Sequence, residues 1–260
     1  AWVDAAAQAG YRRTDDYNCE DQEGVGFFQM TMKNGMRCSA AAAYLKPIRL
    51  RKNLHIITHA HTNKIEFDGK RANAVMVRVR GKSQRIKAGR EIILSAGSIG
   101  SPQLLMLSGI GDQNDLGKHG ITAIHHLPGV GQNLQDHLQA RPVFKCNAST
   151  INTETKNPLQ LISIALQYAF KRTGPMAMAA SLGTAFLKTH EGVETPDIQF
   201  HLQPFSADRV AEGSHKFSAF TASVLQLRPE SVGHLELVSA DASDYPAIYP
   251  NYLATKTDCD

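Results

Sequence analysis

The sequence predicts a mixed α+β and α/β fold, and three stretches carry that reading. Residues 53–96 alternate apolar and polar side chains in short runs broken at Asp68-Gly69 and Gly81, the pattern of an antiparallel meander. Residues 90–111 pass from a short apolar run through Gly97 and Gly100 into a proline-led, leucine-rich segment, which reads as a buried strand, a turn and a helix. After Asp197, Ile198, Phe200 and Leu202 alternate cleanly, and Leu235 with Leu237 do the same, behind an amphipathic helix at 158–171. Long antiparallel strands with one helix against them make an α+β layer.

Residues 2–9 have helical composition, and Gly10 closes that helix. The polar run from Asp15 to Glu23 has no periodicity and reads as a surface loop; its acids lack the spaced Asp-x-Asp-x-Asp-Gly order of a calcium loop. Residues 27–32 form a short strand, Asn34-Gly35 a tight turn, and Ser39 caps a helix over 40–45 that Pro47 stops. Meander strands run over 54–60, 62–67, 74–79 and 83–88, with Val75, Val77 and Val79 pointing inward, and 91–94 returns as the buried strand. Ser101 then caps a helix opened by Pro102, where a missing N–H costs nothing, and Gly109 ends it. Residues 112–119 make a short helix closed by Gly120, 121–127 a β-like segment, and 128–131 a loop. Further on, 141–146 is a strand, 147–157 a polar loop, and the 158–171 helix carries Leu159, Ile162, Leu166 and Phe170 on one face. Small residues over 177–185 signal close packing or the wall of a substrate cavity, of which close packing is the simpler reading. Strands follow at 197–205, 217–227 and 233–239.

Composition narrows the function classes. A net charge of +4 over 260 residues, with Lys and Arg scattered, argues against nucleic acid as a partner. No run of ~18 apolar residues is present to span a membrane, and residues 1–4 show no secretory leader pattern. Four widely spaced cysteines without a Cys-x-x-Cys pair suggest free thiols in a reducing compartment, with the cytoplasm as the expected location. His59 and His61 would share a face if both lay in a strand, yet no carboxylate or thiol stands at ligand spacing. Asp136 and His137 are adjacent, so on a strand their side chains point apart and make no acid–base pair. Gly24-Val25-Gly26 and Gly129-Val130-Gly131 lack the third glycine of a Gly-x-Gly-x-x-Gly loop, which disfavours an NAD-dependent dehydrogenase. A strand, a glycine turn and a helix N-terminus let backbone approach a ligand. Spacing alone leaves 90–111 open between an ordinary turn and a cofactor edge.

The identity of those residues is more specific than their spacing. Gly97-Ser98-Ile99-Gly100-Ser101-Pro102-Gln103-Leu104-Leu105-Met106-Leu107-Ser108-Gly109-Ile110-Gly111 closely resembles the second signature of the glucose-methanol-choline (GMC) family of FAD-dependent oxidoreductases. The likeness extends through Asn34-Gly35-Met36-Arg37-Cys38-Ser39, Asn53-Leu54, Phe67-Asp68-Gly69, Pro128-Gly129-Val130-Gly131-Gln132-Asn133-Leu134-Gln135-Asp136-His137 and Tyr249-Pro250-Asn251-Tyr252-Leu253. It covers nearly the whole chain and is nearest the choline dehydrogenase branch. The resemblance implies FAD as cofactor, a small-molecule alcohol as partner, and hydride transfer from the alcohol carbon to the flavin while a base takes the hydroxyl proton. It implies a partial Rossmann-type FAD-binding domain over 1–137, with the meander but without Gly-x-Gly-x-x-Gly. It also implies a partial antiparallel-sheet substrate domain over 138–260 that stops before the catalytic histidine.

On that reading the chain is an internal piece of a longer flavoenzyme, holds no catalytic residue and is inactive alone. The cofactor-binding positions it implies are Thr62, touching the adenine end through its backbone, and Ala96 and Gly97, passing close to the cofactor. No residue identifies a quaternary ammonium as substrate, so the alcohol stays open, as do dehydrogenase against oxidase and the oligomeric state. The alternative is a stand-alone α+β binding module without redox chemistry.

Overall fold

A computed structural model describes residues 2–209 and 213–260. They form two compact units, each assembled from two stretches of chain: Ala1–Leu54 with His137–Arg228, and His55–Asp136 with Pro229–Asp260.

The first unit is organised by an antiparallel six-stranded sheet. Gly24–Phe27 forms one edge, then come Gly183–Leu187, Ile198–Gln203 and Ala219–Gln226. Gln139–Ala140 and Val143–Lys145 share the far side of Ala219–Gln226. The single strand expected over 141–146 is divided near Pro142, which has no N–H for the ladder but still accepts from the Ala222 N–H at 3.2 Å. Two strands were not anticipated: the first edge lies at Gly24–Phe27 rather than 27–32, and Gly183–Leu187 occupies the end of the small-residue stretch. Close packing holds there. A Cβ on Gly183 would press on the Trp2 ring at 3.3 Å, and Val3, Val25 and Ala185 form a buried cluster with Trp2, Ala6 and Phe200 against it. Trp2–Gln8 is the expected first helix.

Three local expectations change in this unit. Pro47 does not stop the helix near 40–45: a π-turn over Ala41–Leu45 continues into Lys46–Ile48, where Pro47 occupies the tolerant first turn. The Ser39 hydroxyl oxygen still accepts from the Ala42 N–H at 3.3 Å. The loop expected over 147–157 contains a short helix, Ile151–Glu154, closed at its start by a reciprocal Thr150–Thr153 box. Pro158–Lys171 has the expected bounds, with Asn157 accepting from Leu159 N–H at 3.0 Å and Arg172 leaving in the left-handed conformation. Its Leu159, Ile162, Leu166 and Phe170 are exposed, and its buried residue is Ile164, about 200° round the helix from Ile162.

In the second unit the meander is three strands, Ala60–Asp68, Arg71–Val79 and Lys82–Lys87, turned at Gly69 and Gly81. The separate strand over 54–60 is absent. His59 has φ +54°, which breaks extension just before Ala60. Register shifts between Thr62/Lys64 and Glu66/Phe67 replace simple alternation, so Ala74 and Val77 are the buried positions of the central strand. Residues 91–94 pair with no described strand, and Ile93 is exposed; an apolar run becomes a strand only where a neighbour supplies the ladder.

The helix of the motif runs Gly97–Leu107, starting four residues before Ser101. Ala96 is its N-cap, Ser101 Oγ accepts from the Ala96 N–H at 3.1 Å, and Pro102 lies inside the helix. Met106, Leu107, Leu116 and Leu237 form the buried core, with Ile121 and Val130 packed on it. Buried Ser108 ties the helix to the meander: its hydroxyl accepts from Ile65 N–H at 2.8 Å and donates to the Leu104 carbonyl at 2.5 Å. Gly109 then ends the helix at φ +87°. Gln113–Lys118 follows, capped by Asp112, whose carboxylate accepts from Asn114 N–H at 2.8 Å. Ile110–Gly111 pairs in parallel with His125–His126, and Gln132–Leu134, Gly233–Glu236 and Ala247–Tyr249 make a small antiparallel sheet.

Candidate functional site

In the second unit, two of the three expected cofactor-contacting residues line one cavity. It has a volume of about 570 Å³, and Thr62, near the start of the first meander strand, and Ala96 both border it. Gly97 follows Ala96 at φ +81°, a conformation costly for any residue with a Cβ, and the space over it is open. The N-terminus of Gly97–Leu107 has no side-chain cap, so its first-turn N–H groups are free to meet a ligand. The walls are aliphatic at Ile65, Val75, Ile92 and Leu104 and polar at His61, Ser95 and Gln103, and they carry neither Lys nor Arg. Aliphatic surface with a few polar side chains and backbone donors suits a flat neutral heterocycle such as the adenine or flavin ring of FAD. A pyrophosphate would need its charge met by other residues.

The first unit holds a larger cavity of about 870 Å³, a size suited to small-molecule ligands. Met30 and Phe28, beyond the Gly24–Phe27 edge strand, border it, as do the Met32–Lys33 and Met36–Arg37 hairpin, Tyr168, and the segment 176–181. The small residues at 177–181 are therefore cavity wall, whereas those at 183–185 are packed. The hairpin is held in place by Gly35, at φ +68°, whose missing side chain leaves room for the Arg172 carbonyl.

His201, on the strand Ile198–Gln203, reaches the same cavity and meets Phe28 edge-on, ring centroids 5.0 Å apart. Its cross-strand neighbours are Thr184 and Ser223, and the Ser223 hydroxyl is buried without a hydrogen-bond partner. Burial disfavours the imidazolium and holds the His201 pKa below its ordinary 6.5, with a smaller push from His137. The unfolded chain thus binds a proton near pH 6.5 that the folded chain refuses. The stability linked to neutral His201 is present above that pH and is lost as pH falls from there through the lower folded value. His201→Gln is expected to flatten the difference in urea midpoint between about pH 7 and about pH 5; parallel pH profiles for both proteins would contradict this.

A profile of the GMC oxidoreductase family matches residues 1–139 of the 260. The chain belongs to the GMC oxidoreductase family. Over 258 residues it is 43% identical to mitochondrial choline dehydrogenase from Homo sapiens, covering 99% of this chain and 43% of that protein. It is 39% identical over 258 residues to oxygen-dependent choline dehydrogenase from Brucella anthropi, covering 99% of this chain and 47% of the relative. The crystal structure of pyridoxine 4-oxidase from Mesorbium loti superposes with a TM-score of 0.82 at 25% identity, covering 99% of this chain and 47% of that one. This GMC chain spans less than half the length of these relatives.

Other candidates from the sequence have structural roles. His61 Nε2 lies 2.8 Å from the Ala242 carbonyl, and no three His, Cys, Asp or Glu side chains gather at metal-binding distance among the described residues. Asp136 and His137 turn to different partners. Asp136 accepts from the Tyr252 hydroxyl, which holds that phenol above its usual range, and His137 Nε2 lies 3.1 Å from the Leu227 carbonyl. In the acidic loop, the Asp16 carboxylate accepts from Asn18 N–H at 2.9 Å and the Gln29 amide at 3.0 Å. All four cysteines are unpaired, and no described helix is long and apolar enough to cross a membrane. Sequence reasoning missed His201 and the methionine wall. The available signal was Met-Thr-Met at 30–32 and Met-Ala-Met at 176–178, flexible apolar side chains flanking turns.

Proposed function

We propose that this GMC chain is part of an FAD-dependent oxidoreductase that oxidises an alcohol carbon, with residues 55–136 bordering the cofactor and the six-stranded sheet of the first unit bordering the substrate. The observation that carries the cofactor half is the uncapped start of Gly97–Leu107, with an open approach at Gly97 and with Thr62 and Ala96 on one cavity. FAD, when bound, supplies the hydride acceptor. The chain's own share is binding and orientation: backbone at Thr62, Ala96 and Gly97 would hold the ring system, and apolar walls would keep water from it. The names of the relatives support a small-molecule alcohol as substrate, and the cysteines support a reducing compartment.

No Lys or Arg lines the 570 Å³ cavity, and the sequence holds no Gly-x-Gly-x-x-Gly loop whose backbone would cradle a diphosphate. The 260-residue chain purified alone is therefore expected to retain little or no FAD and to oxidise no alcohol, whereas the gene's full product retains FAD and its flavin bleaches anaerobically with an alcohol. A yellow isolated chain would refute the dependence on flanking sequence. A full-length product without flavin would refute the oxidoreductase reading and leave a binding module.

A further inference from the structure

The cavity of the first unit has a chemistry that its size does not reveal. Five of the chain's seven methionines line it: Met30, Met32, Met36, Met176 and Met178. Thioether side chains are apolar, unbranched and adaptable, so they mould around apolar groups of varied shape. A buried cation needs a carboxylate or an open aromatic face to replace its hydration. Among the described residues no Asp or Glu lines the cavity, and the only formally charged side chain on its wall is positive, Arg37.

Its two large aromatic rings are already engaged. The Tyr168 ring carries the Arg172 guanidinium on one face, 4.9 Å from its centroid, which places a second positive charge beside the wall. Phe28 meets Tyr17 and His201 edge-on, with centroids 6.2 and 5.0 Å apart. Burial leaves His201 neutral, so it offers a hydrogen bond to a hydroxyl and no counter-charge.

We propose that this cavity takes the apolar body of an uncharged alcohol, such as an aryl-substituted methanol, and rejects a quaternary ammonium. The word alcohol rests on the flavoenzyme reading above; the selection against a cation rests on the cavity wall alone. It sets this chain apart from what the names of its relatives suggest.

Methionine methyl NMR tests the selection without flavin. In the 260-residue chain labelled at methionine methyl carbons, Met→Leu substitutions assign the signals, and Met76 and Met106, outside the cavity, serve as controls. Titration with benzyl alcohol is expected to shift the cavity methyls saturably and leave Met76 and Met106 in place. Choline at the same concentrations is expected to shift none. Cavity methyls that respond to choline as strongly as to benzyl alcohol, or more strongly to 4-(hydroxymethyl)benzoate, would overturn the proposal, as would no response to any of the three.

On the full-length flavoprotein, kcat/KM for benzyl alcohol is expected to exceed that for choline by about tenfold or more, and the reverse order would overturn the proposal. Failure of flavin binding would show separately, as a colourless full-length protein whose cavity methyls still respond to benzyl alcohol.

Discussion

Leu116→Ala is expected to destabilise the second unit by about 3–5 kcal/mol. Leu116 is 1% exposed and sits in the cluster with Met106, Leu107 and Leu237. Its side chain also approaches Gly111, where a Cβ would lie 3.6 Å from one of its methyls. From the Gln113–Lys118 helix it meets two other elements, the Gly97–Leu107 helix and the chain after Gly233–Glu236. A hole there cannot close by moving one side chain, because Met106 and Leu107 are fixed by the same helix that carries the Ala96–Gly97 edge. Urea unfolding read by circular dichroism measures the loss. A cost under about 1 kcal/mol would mean that the cluster collapses around the smaller residue and is not the rigid support of that edge.

Asn152→Ala is expected to cost about 2–4 kcal/mol in the first unit, through polar groups left without partners rather than through lost volume. Asn152 is fully buried. Its amide donates to Ser206 Oγ at 2.9 Å and to the Phe217 carbonyl at 3.0 Å, and its own carbonyl accepts from Ser206 N–H at 3.0 Å. Ser206 Oγ is in turn 2.9 Å from His215 Nδ1, so one side chain links the Ile151–Glu154 helix to both strand-flanking segments. Alanine removes all three bonds and leaves the Ser206 N–H and the Phe217 carbonyl to find new partners. Thermal melts of the variant, compared with the exposed control Asn147→Ala, isolate the effect. Equal melting temperatures would show that water replaces the amide at no cost.

The sequence was a good guide to some elements and a poor one to others, and the difference is physical. Pro158–Lys171 was legible to the residue because its signals are local: proline at the first position, an amphipathic period and Gly174-Pro175 just beyond its end. Which face that helix buries was not legible. Ile164 is covered while Leu159, Ile162, Leu166 and Phe170 face outward, and hydrophobic spacing describes a stripe without naming its neighbour. The meander was legible from its glycine turns, but its inward positions were not, since two register shifts are properties of strand pairing.

The cofactor edge shows the same division. Thr62, Ala96 and Gly97 came from the resemblance carried by residues 97–111, and the structure adds that Thr62 and Ala96 border one cavity. The start of the helix was misplaced because Ser101-Pro102 is a good local start signal; the preceding turn is helical all the same, with Ser101 bonding back to Ala96. His201 had no sequence signal. It is one alternating position on a strand, and its relation to Phe28 and to the methionines at 30–36 and 176–178 exists only once strands far apart in the chain pair.

By itself the sequence determined the family, the mixed class of fold and the local punctuation: caps, glycine turns and the proline-led helix. Those features depend on side chains within a few residues of one another, where conformational preference is written directly in residue type. Only the tertiary structure decided that Gly24–Phe27 joins the sheet of residues 139–226, that 177–181 is cavity wall while 183–185 is packed, and that the wall around His201 carries positive charge and, among the described residues, no carboxylate. Pairing across more than a hundred residues is selected by the total surface removed from water and by backbone hydrogen bonds met together, quantities that no short stretch of chain contains.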